Sequence, residues 1–211
     1  YIFVVINLFL ITGNKAQNWV QDCVQLMHNS ADASLATLKI WVNDTVWVNN
    51  LMFQQSTARK TFVAGTYTMG VSLPTATDQS QSIIQQTFDI GSGIDNQFLI
   101  INGIVNDPTY PLSVNSYTEG LYGQPSPFQG YLNFYNGCTT FSILNIAFTP
   151  SLSLSGQQQL NISNLAYAQK GSSDVDISVS NPNFTYTLAV NSGTANLGIF
   201  SLPSGLFLGK V

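Results

Sequence analysis

The sequence predicts an all-β protein: two tandem antiparallel β-sandwiches, immunoglobulin-like or jelly-roll-like, preceded by an apolar strand arm. Three observations predict it. No stretch carries the 3.6-residue apolar period of a helix, and short alternating or apolar runs follow one another between turn residues at intervals of about 8–12 positions. Motifs of the first half recur in order in the second, as in a duplication. Finally, Tyr1 to Ile11 (YIFVVINLFLI) is almost wholly apolar and rich in β-branched residues.

The arm is shorter than the roughly 20 residues a membrane-crossing helix needs. Ile2, Val4, Ile6, Leu8 and Leu10 alternate onto one face of a strand. Two readings stay open. One is a strand that completes another domain's sheet. The other is a signal peptide over 1–16, ending at Lys15-Ala16 with cleavage before Gln17. Both imply export, to a secreted, extracellular or cell-surface location.

After the arm, Leu38–Val42, the turn Asn43-Asp44 and Thr45–Val48 predict a tight hairpin. Phe62-Val63, Ala64-Gly65 and Thr66–Met69 repeat that pattern, and Ser82–Ile90 and Gln97–Val105 are two further strand-like runs. The segment Val48–Gln55 matches Ile162–Gln169 at a constant offset. Thr66-Tyr67-Thr68 matches Thr185-Tyr186-Thr187, and Phe88 with Ser92-Gly93 matches Phe200 with Ser204-Gly205. The predicted organisation is an arm over 1–18, a first sandwich over 19–112, a connector over 113–128 and a second sandwich over 129–211. The connector is assigned from its Ser, Tyr, Gly and Pro content, with Gly123-Gln124-Pro125-Ser126-Pro127 at its centre.

The second copy reads as lacking its closing strand. In the first copy Phe98–Val105 follows Ser92-Gly93, whereas Ser204-Gly205 is followed only by Leu206-Phe207-Leu208-Gly209-Lys210-Val211. Such a gap leaves backbone N–H and C=O groups unpaired. The expectation is that the arm residues Ile2, Val4, Ile6, Leu8 and Leu10 of another molecule enter an acceptor groove beside Leu206, Phe207 and Leu208. Burying five such side chains stabilises by about 1.5–3 kcal/mol each before ordering costs. One arm and one groove per molecule make a head-to-tail contact, which propagates as a helical homopolymer unless the ring closes.

The run Val24-Gln25-Leu26-Met27-His28-Asn29-Ser30-Ala31-Asp32-Ala33, the hairpin with Val42-Asn43-Asp44, the segment Asn50-Leu51-Met52-Phe53 and Ala64-Gly65-Thr66-Tyr67-Thr68 resemble the domain of unknown function (DUF) 4397 family. The resemblance covers Asp22–Val105 well and Leu132–Val211 weakly. It implies exported or surface-attached β-sandwich domains, often in tandem, with no assigned enzymatic activity. The chain departs from the pattern in carrying Ser34 where that family usually has proline. In the second copy Asn136-Gly137-Cys138-Thr139-Thr140 replaces the histidine-containing opening, so chemistry tied to His28 has no counterpart there.

Composition narrows the partners. Only 8% of residues are charged, far below the roughly one quarter of ordinary domains, while 45% are hydrophobic. A surface of Asn, Gln, Ser and Thr repels its own copies weakly. The net charge of −4 and six dispersed basic residues argue against nucleic acid, which needs clustered cations. Cys23 and Cys138 form either a disulfide joining the copies or two buried thiols. Asn43, Asn161 and Asn183 stand in glycosylation sequons.

Catalytic groups are sparse. His28 is the single histidine, and with Asp32 and Cys23 it is a weak zinc set; an imidazole tying a turn together accounts for it better. No Gly-x-Ser-x-Gly elbow is present. Asp174 and Asp176 share a strand face, and a solvated face explains them better than a calcium site. Trp41 and Trp47 flank the Asn43-Asp44 turn and read as core aromatics before they read as a sugar-stacking platform. The sequence therefore predicts no catalytic residue, cofactor, metal or membrane span. It predicts a non-enzymatic extracellular fibre subunit whose partners are its own copies. The alternative is a monomeric secreted or cell-surface adhesion or carbohydrate-binding module that meets surface glycans.

Overall fold

A computed structural model describes residues 5–9, 23–91, 96–119, 129–150, 159–176 and 185–203. Strand is the dominant regular structure of the described residues, arranged in paired sheets as a β-sandwich protein requires. The chain divides into two compact units: a first unit, Gln17–Leu121, and a second, Tyr122–Val211 together with Tyr1–Ala16. No helix among the described residues is long and apolar enough to cross a membrane.

In chain order the strands are β1 (Val5–Phe9), β2 (Cys23–His28), β3 (Thr37–Val42), β4 (Thr45–Met52), β5 (Lys60–Thr61), β6 (Gly65–Ser72), β7 (Ile84–Ile90), β8 (Asn96–Asn102) and β9 (Ser113–Glu119). They continue with β10 (Gln129–Tyr135), β11 (Ile143–Pro150), β12 (Leu160–Ala166), β13 (Lys170–Asp176), β14 (Thr185–Ser192) and β15 (Ala195–Pro203).

The first unit packs the sheet β4-β3-β6-β7 against the sheet β5-β2-β8-β9. Its alternating strands point one face inward. In β2 the buried positions are Val24, Leu26 and His28, and Val24 and Leu26 meet Leu38, Ile40, Met69 and Ile101 in one cluster. The predicted hairpin is present: β3 and β4 are joined by Asn43 (φ 46°) and Asp44 (φ 61°), the two positive angles that match the twist of paired strands.

Three expectations are corrected. The segment Ser113–Glu119, expected in a connector, is β9, paired antiparallel along β8. Its Ser, Thr and Tyr residues resembled linker composition, but Val114 is a buried anchor and the rest suits an edge strand. The second expected hairpin does not form, because β5 pairs with β2 and β6 pairs with β3, in different sheets. Phe62 lies edge-on to Trp47, Tyr67 and Phe88, a ring cluster that draws the chain from one sheet to the other. Finally, the pairing is not uniformly antiparallel: β2 and β8 run parallel.

The second unit has the sheets β12-β11-β14-β15 and β1-β10-β13. Its core gathers Phe134, Leu144, Ile146, Phe148, Leu165 and Leu188. Register ties it to the first unit position by position. Leu38 faces Leu51 across β3–β4, and Leu144 faces Leu165 across β11–β12. Val71 faces Ile40, and Val190 faces Ile146. The turn residues Gln54 (φ 66°) and Ala168 (φ 57°) share a left-handed backbone. One equivalence shifts: Tyr67 faces Phe88 and Tyr186 faces Leu202, so Leu202 rather than Phe200 stands in the place of Phe88.

Candidate functional site: the β1 slot and the opening turns

Val5–Phe9 of the arm form a strand of the second unit's sheet. β1 pairs antiparallel with β10, with Val5 opposite Tyr135, Ile6 opposite Phe134, Asn7 opposite Asn133 and Leu8 opposite Leu132. In the first unit β2 lies between β5 and β8; in the second, β10 lies between β13 and β1. The arm strand thus holds beside β10 the place that β8 holds beside β2, but in the opposite direction, since β8 runs parallel to β2. This corrects the expected docking in two respects. The arm strand pairs within its own chain, and its described neighbour is β10. The reason is geometric: β10 has an edge that β13 does not cover, and a strand from the same chain meets it without the entropy cost of association. Ile2, Val4 and Leu10 and the expected groove residues Leu206, Phe207 and Leu208 lie outside the described residues.

The opening turn of the first unit is built around His28. Its ring is fully buried and both nitrogens are engaged: Nε2 donates to the Leu35 carbonyl at 2.6 Å, and Nδ1 accepts from the Ser30 N–H at 3.3 Å. That assigns the neutral tautomer with its proton on Nε2. Burial holds the imidazole below its ordinary value of 6.5, with the Leu35 bond acting the other way. Asp32 closes the same turn. Its Oδ1 accepts from the Ser34 N–H at 2.9 Å and the Ser34 hydroxyl at 2.6 Å, and its Oδ2 accepts from the Val105 N–H at 2.9 Å. The Ser34 hydroxyl in particular, with the Val105 N–H, holds this carboxyl below the usual 3.8 against the opposing effect of burial. β8 is followed by Gly103 (φ 92°), where a Cβ would overlap the Pro111 carbonyl.

The second unit builds the same turn with an amide. His28 N–H donates to the Gln55 carbonyl and accepts, at its own carbonyl, the Gln54 N–H; Asn136 makes the matching pair with Gln169 and Ala168. Asn136 Oδ1 accepts from the Cys138 N–H at 3.0 Å, as His28 Nδ1 accepts from Ser30. Its Nδ2 donates to the Leu165 carbonyl at 3.0 Å and reaches the Phe141 carbonyl at 3.3 Å. Sequence reasoning found the replaced opening but not that Asn136 does the work of His28. The signal was there, in that an amide also offers one donor and one acceptor.

Cys23 and Cys138 are both free thiols, so the expected disulfide is absent. Cys138 is buried at the position that Ser30 occupies in the first unit, and Cys23 lies 3.9 Å from the Thr61 hydroxyl. Trp41 is buried and donates through Nε1 to the Ser72 hydroxyl at 2.8 Å, while Trp47 is half-buried under the Lys60 ammonium. They form no shared platform. Of the sequon residues, Asn43 and Asn161 are exposed and Asn183 lies outside the described residues. Among the described residues no three His, Cys, Asp or Glu side chains gather as metal ligands. A cleft of about 300 Å³ opens beside β7 and β9, lined by Gln86, Phe88, Asp89, Gln97, Ser116 and Thr118 among others.

No family profile, curated protein or solved structure matches the chain.

Proposed function

We propose that the protein is a non-enzymatic extracellular structural protein, a surface fibre subunit of the DUF 4397 type, that assembles by exchanging its arm strand between copies. The observation that carries this reading is the place of β1: it fills beside β10 the position that an integral strand, β8, fills in the other unit. A strand that completes a sheet from the far end of the chain is the element exchanged in domain swapping, because the same contacts form in cis or in trans. The non-enzymatic part is supported by His28, whose two ring nitrogens are both spent on backbone partners.

Exchange is tested with a cysteine pair at register partners, Asn7→Cys with Asn133→Cys, in a background with Cys23 and Cys138 replaced by serine and alanine. After concentration and oxidation, a ladder of disulfide-linked oligomers on a non-reducing gel supports exchange. A monomer band alone at every concentration overturns it. Electron microscopy of the same sample checks for filaments.

The second reading, a secreted or surface module that binds glycans, is favoured by the cleft beside β7 and β9, whose Gln, Ser, Thr and Asp lining suits a neutral polyhydroxylated ligand. Sequencing the mature N-terminus separates the two. A start at Gln17 removes the arm and favours the module, whereas an intact arm favours the fibre.

A further inference from the structure

The two units hold their opening turns with different chemistry at one position, and only one of those groups can take a proton. In the first unit the neutral imidazole of His28 uses Nδ1 as acceptor for Ser30 and Nε2 as donor to Leu35. In the second, Asn136 supplies the acceptor to Cys138 and the donor to Leu165. A proton added to Nδ1 would set two N–H donors against each other and place a full charge on a ring with no solvent exposure.

Among the described residues packed around the ring, no charged group is placed to compensate. The strand β8, which lies along β2, carries no titratable residue from Asn96 to Asn102. The turn Phe53–Thr57 carries none either, and presents the Phe53 ring 5.9 Å from the imidazole. On the opening turn the only carboxylate is Asp32, and both its oxygens are bonded to Ser34 and Val105. On β2 itself the only other titratable group is Cys23, at the far end of the strand.

We infer that His28 is a pH-sensitive clip: mild acid opens the first unit at its opening turn, while the second, clipped by Asn136, has no such group to protonate. The turn is not peripheral. The His28 backbone holds the Gln54-Gln55 turn at 2.8 and 2.9 Å, and Ser30 and Asp32 hold the end of β8 through Gly103 and Val105. Opening it frees the parallel pair β2–β8 at the end where both strands finish.

The sign follows from linkage. A histidine whose folded-state value lies below its unfolded one binds more protons when unfolded, so its stabilising contribution is complete above pH 6.5 and is lost as pH falls through the folded-state value. Asp32, also lowered, loses its contribution only below the ordinary carboxylate range, so the two windows do not coincide.

The chain reports on the correct unit without labels, since Trp41 and Trp47 lie on β3 and β4 of the first unit and Tyr122–Val211 contains no tryptophan. Urea unfolding followed by tryptophan fluorescence from about pH 7.5 down to about pH 5 should show the unfolding constant rising by up to about tenfold per pH unit below 6.5. In His28→Asn that rise should vanish while the unit stays folded at neutral pH. Equal pH dependence in wild type and His28→Asn overturns the inference, as does a wild type with none. If the variant does not fold, proton NMR of the single histidine in the wild-type chain decides. A ring that stays neutral well below 6.5 and then titrates together with loss of the fold supports the clip; titration at the ordinary 6.5 with the fold intact overturns it.

Discussion

The first unit joins β6 to β7 with residues 73–83, whereas the second joins β14 to β15 with only Gly193 and Thr194. The long connection is a strap laid on its own sheet. Gln79, nearly buried, accepts from the Asp44 N–H at 2.6 Å and donates to the Thr68 carbonyl, and Lys39 Nζ donates to the Ala76 carbonyl at 2.6 Å. Gly70 lies beneath it: a Cβ there would overlap the Ser82 hydroxyl and come within 2.8 Å of Gln79. At the positions facing each other under the strap the first unit has Trp41 and Gly70; the second, without a strap, has Ala147 and Ala189. One sheet design therefore tolerates two surfaces. The large-and-none pair belongs with a covering loop, and the two-alanine pair with a two-residue turn.

Substitutions at five positions break or sharpen this comparison, from the largest expected effect to the smallest. Phe134 is buried in β10 where Leu26 is buried in β2, so both anchor the same inner face. Phe134→Ala should cost about 3–5 kcal/mol and Leu26→Ala about 2–5 kcal/mol. Hydrogen exchange of each unit's strands reads the loss, and a Phe134→Ala chain with unchanged protection in β10 and β11 would remove Phe134 from the core.

Asn136→Ala strips the second unit's clip and leaves the Cys138 N–H and the Leu165 carbonyl without their partner, at a cost of about 2–4 kcal/mol. Asn136→His should restore much of it and carry acid lability into the second unit. Urea unfolding by circular dichroism at two pH values checks both.

Gly70→Ala should cost about 1–3 kcal/mol by lifting the strap, seen as faster proteolysis within residues 73–83. A strap shortened to the Gly193-Thr194 turn should make that substitution nearly neutral, as Ala189 implies. Last, Asn29 is buried with neither amide atom hydrogen-bonded among the described residues, and Gly137 takes its place in the second unit. Asn29→Ala should therefore shift stability by less than about 1 kcal/mol, because no bond is lost. A larger loss in thermal unfolding would assign that amide a partner.

Much of the fold was legible for reasons that are local. Asn43-Asp44 announces its turn because few other residues adopt two successive positive φ angles without strain. Leu51 and Leu165 announce one another because alternation with period two must put matching residues of a duplicated strand on matching faces. The replaced opening at Asn136 was visible for the same reason. The connector was misread because Ser113–Glu119 has the composition of a linker and only Val114 to hold it in the core.

What the sequence alone determined is whatever a strand and its turn decide between themselves: the all-β class, the recurrence of motifs between the halves, and a strand within the apolar arm. Beyond the β3–β4 hairpin, only the tertiary structure decided which strands lie side by side. Pairing across a sheet depends on which edges remain open after the nearer strands have closed, and nearest-neighbour patterning does not encode that. Thus β2 and β8 run parallel, β5 leaves β6 for another sheet, and β1 finds β10 in its own chain. The same holds for His28. Its residue type allowed a ligand, a catalyst or a clip, and burial with both nitrogens on backbone partners is what makes it a clip.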